Sequence, residues 1–326
     1  MISIVQRAFK VREVPVFLAL VLVILITGFA NPRFFSISGV QDITLGVAVI
    51  AILSVAQSFV IVMRHIDLSV GSTIGFSAFL IGIESSKGAP LWWCLTVGLL
   101  LGIGVGVLNG FMVAYLKLPS LVVTLSSLYI VRGVFNEVAG GTTITNTDVP
   151  SFISFLGRNY FLGIPYLFLI ALVLMIAGGL VMRHLRWARD LYAIGSNPPA
   201  SALVGIPVAR RIFTAFVITG GISGLAGAVL LARFNTAAAN SGLGLELNVV
   251  AACVVGGVAI AGGVGTPYGA VIGAVLLQAI TLALGALGVP QFWQQAVNGI
   301  LLISAISLDR YLSSRVKPTQ IMRVNA

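Results

Sequence analysis

Apolar residues in this chain run in long blocks separated by short polar breaks. Blocks of about 20 residues are long enough to cross a bilayer as α-helices. Ten such spans are predicted, at 14–30, 44–63, 68–84, 91–115, 118–136, 161–182, 212–232, 247–262, 267–287 and 292–309. The eighth is short and ends in Gly-Gly, and the fifth starts at Leu118-Pro119 close behind the fourth. Both are open to being broken or re-entrant helices. Short alternating segments, the mark of a transmembrane barrel, are not seen. The pattern therefore predicts an all-α, polytopic helical membrane protein with about ten transmembrane helices and a single transmembrane domain over 1–326.

The polar breaks assign sides, because Lys and Arg favour cytoplasmic loops. With the N-terminus inside, Arg7, Lys10, Arg12, Arg64, Lys117, Arg183, Arg186, Arg189, Arg210, Arg211, Arg310, Arg315, Lys317 and Arg323 fall on the cytoplasmic side. Only Arg33, Lys87, Arg158 and Arg233 fall outside. An error of one span would destroy this asymmetry, so both termini are expected to be cytoplasmic. The largest cytoplasmic loop is then 183–211. The longest external segment is 137–160, whose "GGTTITNTDVPSF" is polar and turn-forming, with room for a small helix at the outer surface.

Composition agrees. Of the 326 residues 58% are hydrophobic and 9% charged, against roughly 25% charged in a soluble domain. The net charge of +10 reflects basic loops in such a chain, and no nucleic-acid partner is expected. Cys94 and Cys253 lie in apolar stretches, and His65 and His184 lie far apart, so no metal site is expected. Arg7, Lys10 and Arg12 precede the run from Val14 to Ala30, which resembles a secretory signal. The run is long and lacks a clean cleavage site, so it reads as a retained first span.

No energy-converting chemistry is visible. No lysine follows a glycine in a phosphate-cradling loop, and neither G-x-G-x-x-G after a strand nor H-E-x-x-H occurs. "GGISG" at 220–224 misses the nucleophile-elbow pattern by one place. Asp42, Asp67, Glu84, Glu137, Asp148, Asp190, Glu246 and Asp309 fall at span ends or in loops, and Glu13 precedes the first span. Charge in mid-span is costly and functional by default. Arg132 is the one firm case, expected to anchor a helix end or to pair with Glu137. The chain is therefore not expected to be an enzyme. Two classes remain: a pump's membrane subunit powered by a partner, and a stand-alone secondary carrier or channel.

Gly102, Gly106 and Gly110 recur every fourth residue, as do Gly220 with Gly224 and Gly269 with Gly273. In lipid this spacing lets helix backbones approach closely. "GGVAIAGGVGTPYG" at 256–269 reads as a short helix, a tight turn and a new helix with Pro267 in its first turn.

"HIDLSVGS" at 65–72 reads first as an N-cap, with Asp67 or Ser69 satisfying free N–H groups of the following helix and Gly71 just inside it. It also resembles the Gly-Ile-Asp-Leu-Ser-Val-Gly signature of the transmembrane permeases of bacterial ribose-type ABC sugar importers, a class covering pentoses, rhamnose and furanosyl signals. The match departs at His65, where that family has Gly. "LPSLVVTLSSLYIVRG" at 118–133, "RDLYAIGSNPPASALVGI" at 189–206, "AACVVGGVAIAGGVGTPYGAVIGA" at 251–274 and "FWQQAVNGILLISAISLD" at 292–309 are similar to further stretches of the family in the same order. Branched-chain amino-acid permeases share the wider superfamily, though the wording sits nearer the sugar branch.

The resemblance implies the following. The chain is one of two permease subunits, in a homodimer or a heterodimer with a related permease, set in the bacterial cytoplasmic (inner) membrane among its lipid. A solute-binding protein delivers a monosaccharide: ribose, another pentose, rhamnose or a related furanosyl compound. ABC ATPase subunits bind Mg-ATP, so no cofactor belongs to this chain. The cytoplasmic loop 183–211 docks on the ATPase, through Arg189, Asp190, Tyr192, Ala193, Ile194, Gly195, Asn197, Ala200 and Gly205. Asn197-Pro198-Pro199-Ala200 reads as a turn into a short helix ended by Gly205 and Pro207. The polar in-span residues Gln57, Asn109, Ser126, Ser127, Asn248 and Asn298 are candidates for the substrate path, their other use being interhelical hydrogen bonding.

Overall fold

The structure, a computed structural model, describes residues 13–290 together with 293, 294, 296, 297, 299, 300, 303, 304 and 307. In chain order its helices are α1 (Glu13–Ala30), α2 (Ile37–Ile61), α3 (Val70–Ser86), α4 (Leu91–Ala114), α5 (Ser120–Ala139), α6 (Ser151–Arg158), α7 (Tyr166–His184), α8 (Arg186–Ser196), α9 (Pro198–Leu203), α10 (Val208–Phe234), α11 (Leu245–Val255) and α12 (Pro267–Ala286). The one sheet among the described residues is an antiparallel hairpin, β1 (Tyr160–Phe161) with β2 (Ile164–Pro165). Among the described residues six helices, α2, α4, α5, α7, α10 and α12, are long and apolar enough to cross a bilayer. The chain is an all-α membrane protein.

Two helices form the centre. Every residue of α2 from Ala51 to Ile61 is buried, and so is every residue of α3 from Val70 to Phe79. Helices apolar on all sides belong inside a bundle. α2 is enclosed by α7, α10, α11 and α12, and α3 by α4, α5 and α10. α4 and α10 meet along a glycine seam. A Cβ on Gly102 would collide with the Gly220 carbonyl, one on Gly220 with the Gly102 carbonyl, and one on Gly224 with the Gly98 carbonyl. Gly269 and Gly273 make the same kind of contact with α11, through Gly256 and Ala252. All three predicted glycine repeats are thus packing surfaces.

Several span boundaries differ from expectation. α2 starts at Ile37 rather than 44, because the Ser36 hydroxyl accepts the N–H of Gly39 (3.2 Å) and caps the helix there. Asp42 therefore lies within a helix rather than before one. The eighth predicted span, 247–262, is corrected to the 11-residue α11, roughly 16 Å long at ~1.5 Å per residue and about half a ~30 Å hydrocarbon core. Beyond Val255 the backbone turns through Gly257, Gly262, Gly263 and Gly265, all at positive φ, where glycine alone adopts the conformation freely. α12 then starts at Pro267 as expected, with the Thr266 hydroxyl accepting the N–H of Gly269 (3.0 Å). The tenth span, 292–309, falls on a stretch of which only scattered positions are described.

The loops are more helical than they read. The 137–160 segment contains the short helix α6, and the 183–211 loop is mostly α8 and α9. The two ends of the bundle are built from different loops. At one, Ile144 pairs with Ala237 across an isolated antiparallel bridge and Gln41 donates to the Gly163 carbonyl (3.2 Å). At the other, the turns after α2 and before α5, the α8–α9 segment and the glycine turn 256–266 come together.

Candidate functional site

α8 is laid across the end of the bundle by its own amphipathic pattern. Ala188, Leu191, Ile194 and Gly195 are buried, and Arg186 and Arg189 are exposed. Gly195 meets the end of α2 so closely that a Cβ would overlap the Val62 carbonyl. Arg64, held at φ +69°, reaches the same place. Its Nε donates to the Gly195 carbonyl (2.6 Å) and Nη2 to the Ser196 carbonyl (2.8 Å). A cation on the last carbonyls of α8 satisfies groups that the helix leaves open and matches its dipole.

The glycine turn joins the same junction. Gly263 N–H donates to the Val62 carbonyl (2.8 Å), and the Tyr192 hydroxyl donates to the Gly265 carbonyl (2.7 Å). On the other flank Asp190 forms an ion pair with Arg211 of α10 (2.8 Å), and Trp187 Nε1 donates to Thr214 Oγ1 (2.8 Å). α8 is therefore a strut fixed to α2, α10 and the loop between α11 and α12. Force applied to it reaches three parts of the bundle at once.

α9 projects from this strut. Asn197 caps it, its Oδ1 accepting the Ala200 N–H (3.1 Å), and Pro198 and Pro199 open its first turn. Gly205 closes the turn after it at φ +82°. Leu203 and Val204 at its tip are 89% and 77% exposed. Among the residues assigned to this loop by sequence, Arg189 and Ala200 are exposed, while Ile194 and Gly195 are buried, Ala193 is half-buried and Asp190 is engaged by Arg211. The latter position the platform rather than its outer face. Leu203 and Val204 belong to the stretch 200–206, whose small, apolar side chains read from sequence as suited to a groove, whereas Arg64 read only as a cytoplasmic charge. The signal for the first two is a pair of large apolar residues between a proline-led helix start and a glycine.

A second group lies deeper. Asp67 is 1% exposed, and its Oδ1 accepts both the N–H (2.9 Å) and the hydroxyl (2.6 Å) of Ser69. Of the two expected caps of α3, Asp67 takes the Ser69 N–H, while Ser69 caps nothing because it spends its hydroxyl on Asp67 and accepts from Asn109 Nδ2 (2.9 Å). Asn109 Oδ1 in turn accepts from Ser127. The Gln57 carboxamide, oriented to match both groups, pairs with the backbone N–H and carbonyl of Asp67 (3.0 and 3.3 Å). Four elements, α2, α3, α4 and α5, are tied through this network. A Cβ on Gly71, one turn on, would overlap the Glu246 carboxylate of α11.

Burial sets the charge of this turn. The Asp67 carboxyl is pushed up to about 6, desolvation outweighing the two bonds from Ser69. His65, also desolvated, is pushed down to about 4. Each is driven toward its neutral form.

Among the path candidates, Gln57, Asn109 and Ser127 are thus bonded in the core, Ser126 is exposed on α5 and Asn248 is half-buried on α11. Asn298 lies outside the described residues. Arg132 does not pair with Glu137. Its Nη1 donates to the carbonyls of Ala239 (2.9 Å) and Ser241 (2.7 Å), holding the loop that leads into α11. Glu246, expected at a span end, is buried in the first turn of that helix.

The family described as "Branched-chain amino acid transport system / permease component" matches residues 39–306. The autoinducer 2 import system permease protein LsrC of Klebsiella pneumoniae is 32% identical over 300 residues, 92% of this chain and 87% of the relative. The L-arabinose ABC transporter permease protein AraH of Azospirillum brasilense is 32% identical over 290 residues, 89% and 85% of the two chains. The ribose import permease protein RbsC of Haemophilus influenzae is 31% identical over 301 residues, 92% and 93%. No solved structure matches the chain.

Proposed function

The chain belongs to the branched-chain amino acid transport system / permease component family, and from that premise we propose that it is the membrane permease subunit of an ATP-driven ABC importer for a monosaccharide or related furanosyl compound. Relatives named for arabinose, ribose and autoinducer 2 import support this cargo class over an amino acid. ATP hydrolysis comes from partner ATPase subunits, cargo from a solute-binding protein, and two permease subunits enclose the path in the bacterial inner membrane. About ten spans with both termini cytoplasmic fit the basic loops. The clustering of the turn at 64–67, the α8–α9 segment and the 256–266 turn at one end of the bundle supports that reading.

The observation that carries the proposal is the pair Leu203 and Val204, large apolar side chains held 89% and 77% in the open by a capped two-turn helix on a braced strut. A tip of this kind fits an apolar groove in the ATPase, and the arginines beside it suit an acidic rim. Closure of the ATPase around ATP then moves α8 and, through it, α2, α10 and the α11–α12 loop. Ser126 and Asn248 are the sequence candidates left with exposed surface for cargo.

The test is the double variant Leu203→Asp, Val204→Asp, co-expressed with the neighbouring ATPase. Membrane insertion is expected to be unchanged, with co-purified ATPase and cargo uptake reduced at least about tenfold, as for loss of central interface anchors. Normal uptake by the variant, or full-rate uptake in liposomes holding this chain alone, would overturn the reading in favour of a stand-alone carrier.

A further inference from the structure

α7 and α10 both pack on α2 but barely on each other. They leave a cleft with α2 as its floor. Two adjoining cavities fill it. One, of about 460 Å³, is lined by Ile52, Ile170, Leu174, Ile222 and other apolar side chains, with Tyr166 at its end. The other, of about 510 Å³, shares Leu174 and Ile222 with the first and continues past Val55 and Phe59 to Leu185, Trp187 and Thr214. The cleft thus follows α7 from Tyr166 to Leu185, roughly 28 Å at ~1.5 Å per residue, which is nearly the ~30 Å hydrocarbon thickness of a bilayer.

The two ends differ. The Trp187–Thr214 hydrogen bond (2.8 Å) closes the α8 end. Arg186 immediately precedes Trp187, and Arg210 lies one helical turn before Thr214. Both are exposed, and neither has an ion pair among the described residues, whereas Arg211 is held by Asp190. Apolar walls offer nothing to a polar occupant, and two exposed arginines set beside the lining residues Trp187 and Thr214 offer a match for phosphate oxygens.

We propose that this cleft is a specific site for one anionic phospholipid, with acyl chain in the groove and phosphate between Arg186 and Arg210. Basic mouths between membrane helices recognise anionic head groups in this way. The occupant bears on function, because the head group sits against the first turn of α8, the strut described above. The lipid stiffens the α7–α8–α10 corner without touching the sugar path.

Trp187 supplies the reporter. In a variant with Trp92, Trp93 and Trp293 replaced by Phe, reconstituted in nanodiscs, brominated phosphatidylglycerol is titrated against brominated phosphatidylcholine. Quenching of Trp187 is expected at a mole fraction on the order of tenfold lower for phosphatidylglycerol, two arginines contributing. Arg186→Gln, Arg210→Gln should bring its curve onto that of phosphatidylcholine, with gel filtration and circular dichroism unchanged. Equal quenching by the two lipids in the unsubstituted background would mean an ordinary lipid annulus and overturn the proposal. Quenching by neither would mean that a protein surface, such as a second copy of the chain, covers the cleft. Retained preference in the double variant would overturn the head-group assignment.

Discussion

The Tyr192 hydroxyl donates a 2.7 Å hydrogen bond to the Gly265 carbonyl, linking α8 to the glycine turn between α11 and α12 across 73 residues of sequence. Between Gly256 and Gly265 that turn carries only glycine and apolar residues, so the side-chain hydrogen bond comes from α8. Tyr192→Phe keeps the ring and removes the bond. A stability loss of about 1 kcal/mol is expected, with uptake per ATP hydrolysed falling several-fold while ATPase binding stays normal. Unfolding in denaturant and a coupled uptake–hydrolysis assay read the two effects separately.

Arg64 fastens the other side of the junction through the carbonyls of Gly195 and Ser196. Arg64→Met retains most of the apolar stem and loses both donors. A charged hydrogen bond is worth ~1.5–3 kcal/mol, and because one of the two is exposed and contributes less, a destabilisation of about 2–3 kcal/mol is expected. Faster proteolysis between α8 and α9 should accompany it, measured on the purified protein.

The glycine seam predicts a sharp positional contrast within one helix. Gly102→Val drives a side chain into the Gly220 carbonyl of α10, whereas Gly104 on the same helix has open space around its missing Cβ. Gly102→Val is expected to cost about 1–3 kcal/mol by overpacking and Gly104→Val to be tolerated. Thermal unfolding in detergent distinguishes them.

His65 and Asp67 give opposite pH dependences. The native Asp67 carboxyl keeps its proton to about 6, against 3.8 for the ordinary group. Between those values the folded state binds more protons, so this contribution to stability is lost as pH rises. Native His65 stays neutral down to about 4, against the ordinary 6.5. There the unfolded state binds more protons, so that contribution is gained as pH rises. From pH 4 to 6 the two oppose each other. Relative to the unsubstituted chain, His65→Gly should make stability fall with rising pH in this window, and Asp67→Asn should make it rise. Urea unfolding of both variants at pH 4, 5 and 6 provides the slopes.

Sequence by itself determined the class of structure, since blocks of some 20 apolar residues admit little but membrane helices. It also determined the use of the glycine repeats, the start of α12 at Pro267 and the short helix opened by Asn197, Pro198 and Pro199. Each follows from local chemistry: spacing on one helix face, a fixed proline φ, a side chain capping its own turn. The tertiary structure alone decided that α11 stops halfway, that Gln57 pairs with the Asp67 backbone while Asn109 bonds Ser69 and Ser127 in the core, and that Arg132 grips a loop more than 100 residues away. It alone brought Arg64, Tyr192 and Gly265 together at one junction. Those outcomes depend on which helix ends meet in space, and in a chain where nearly every span is apolar all round, hydrophobic pattern carries almost no information about which face meets which neighbour.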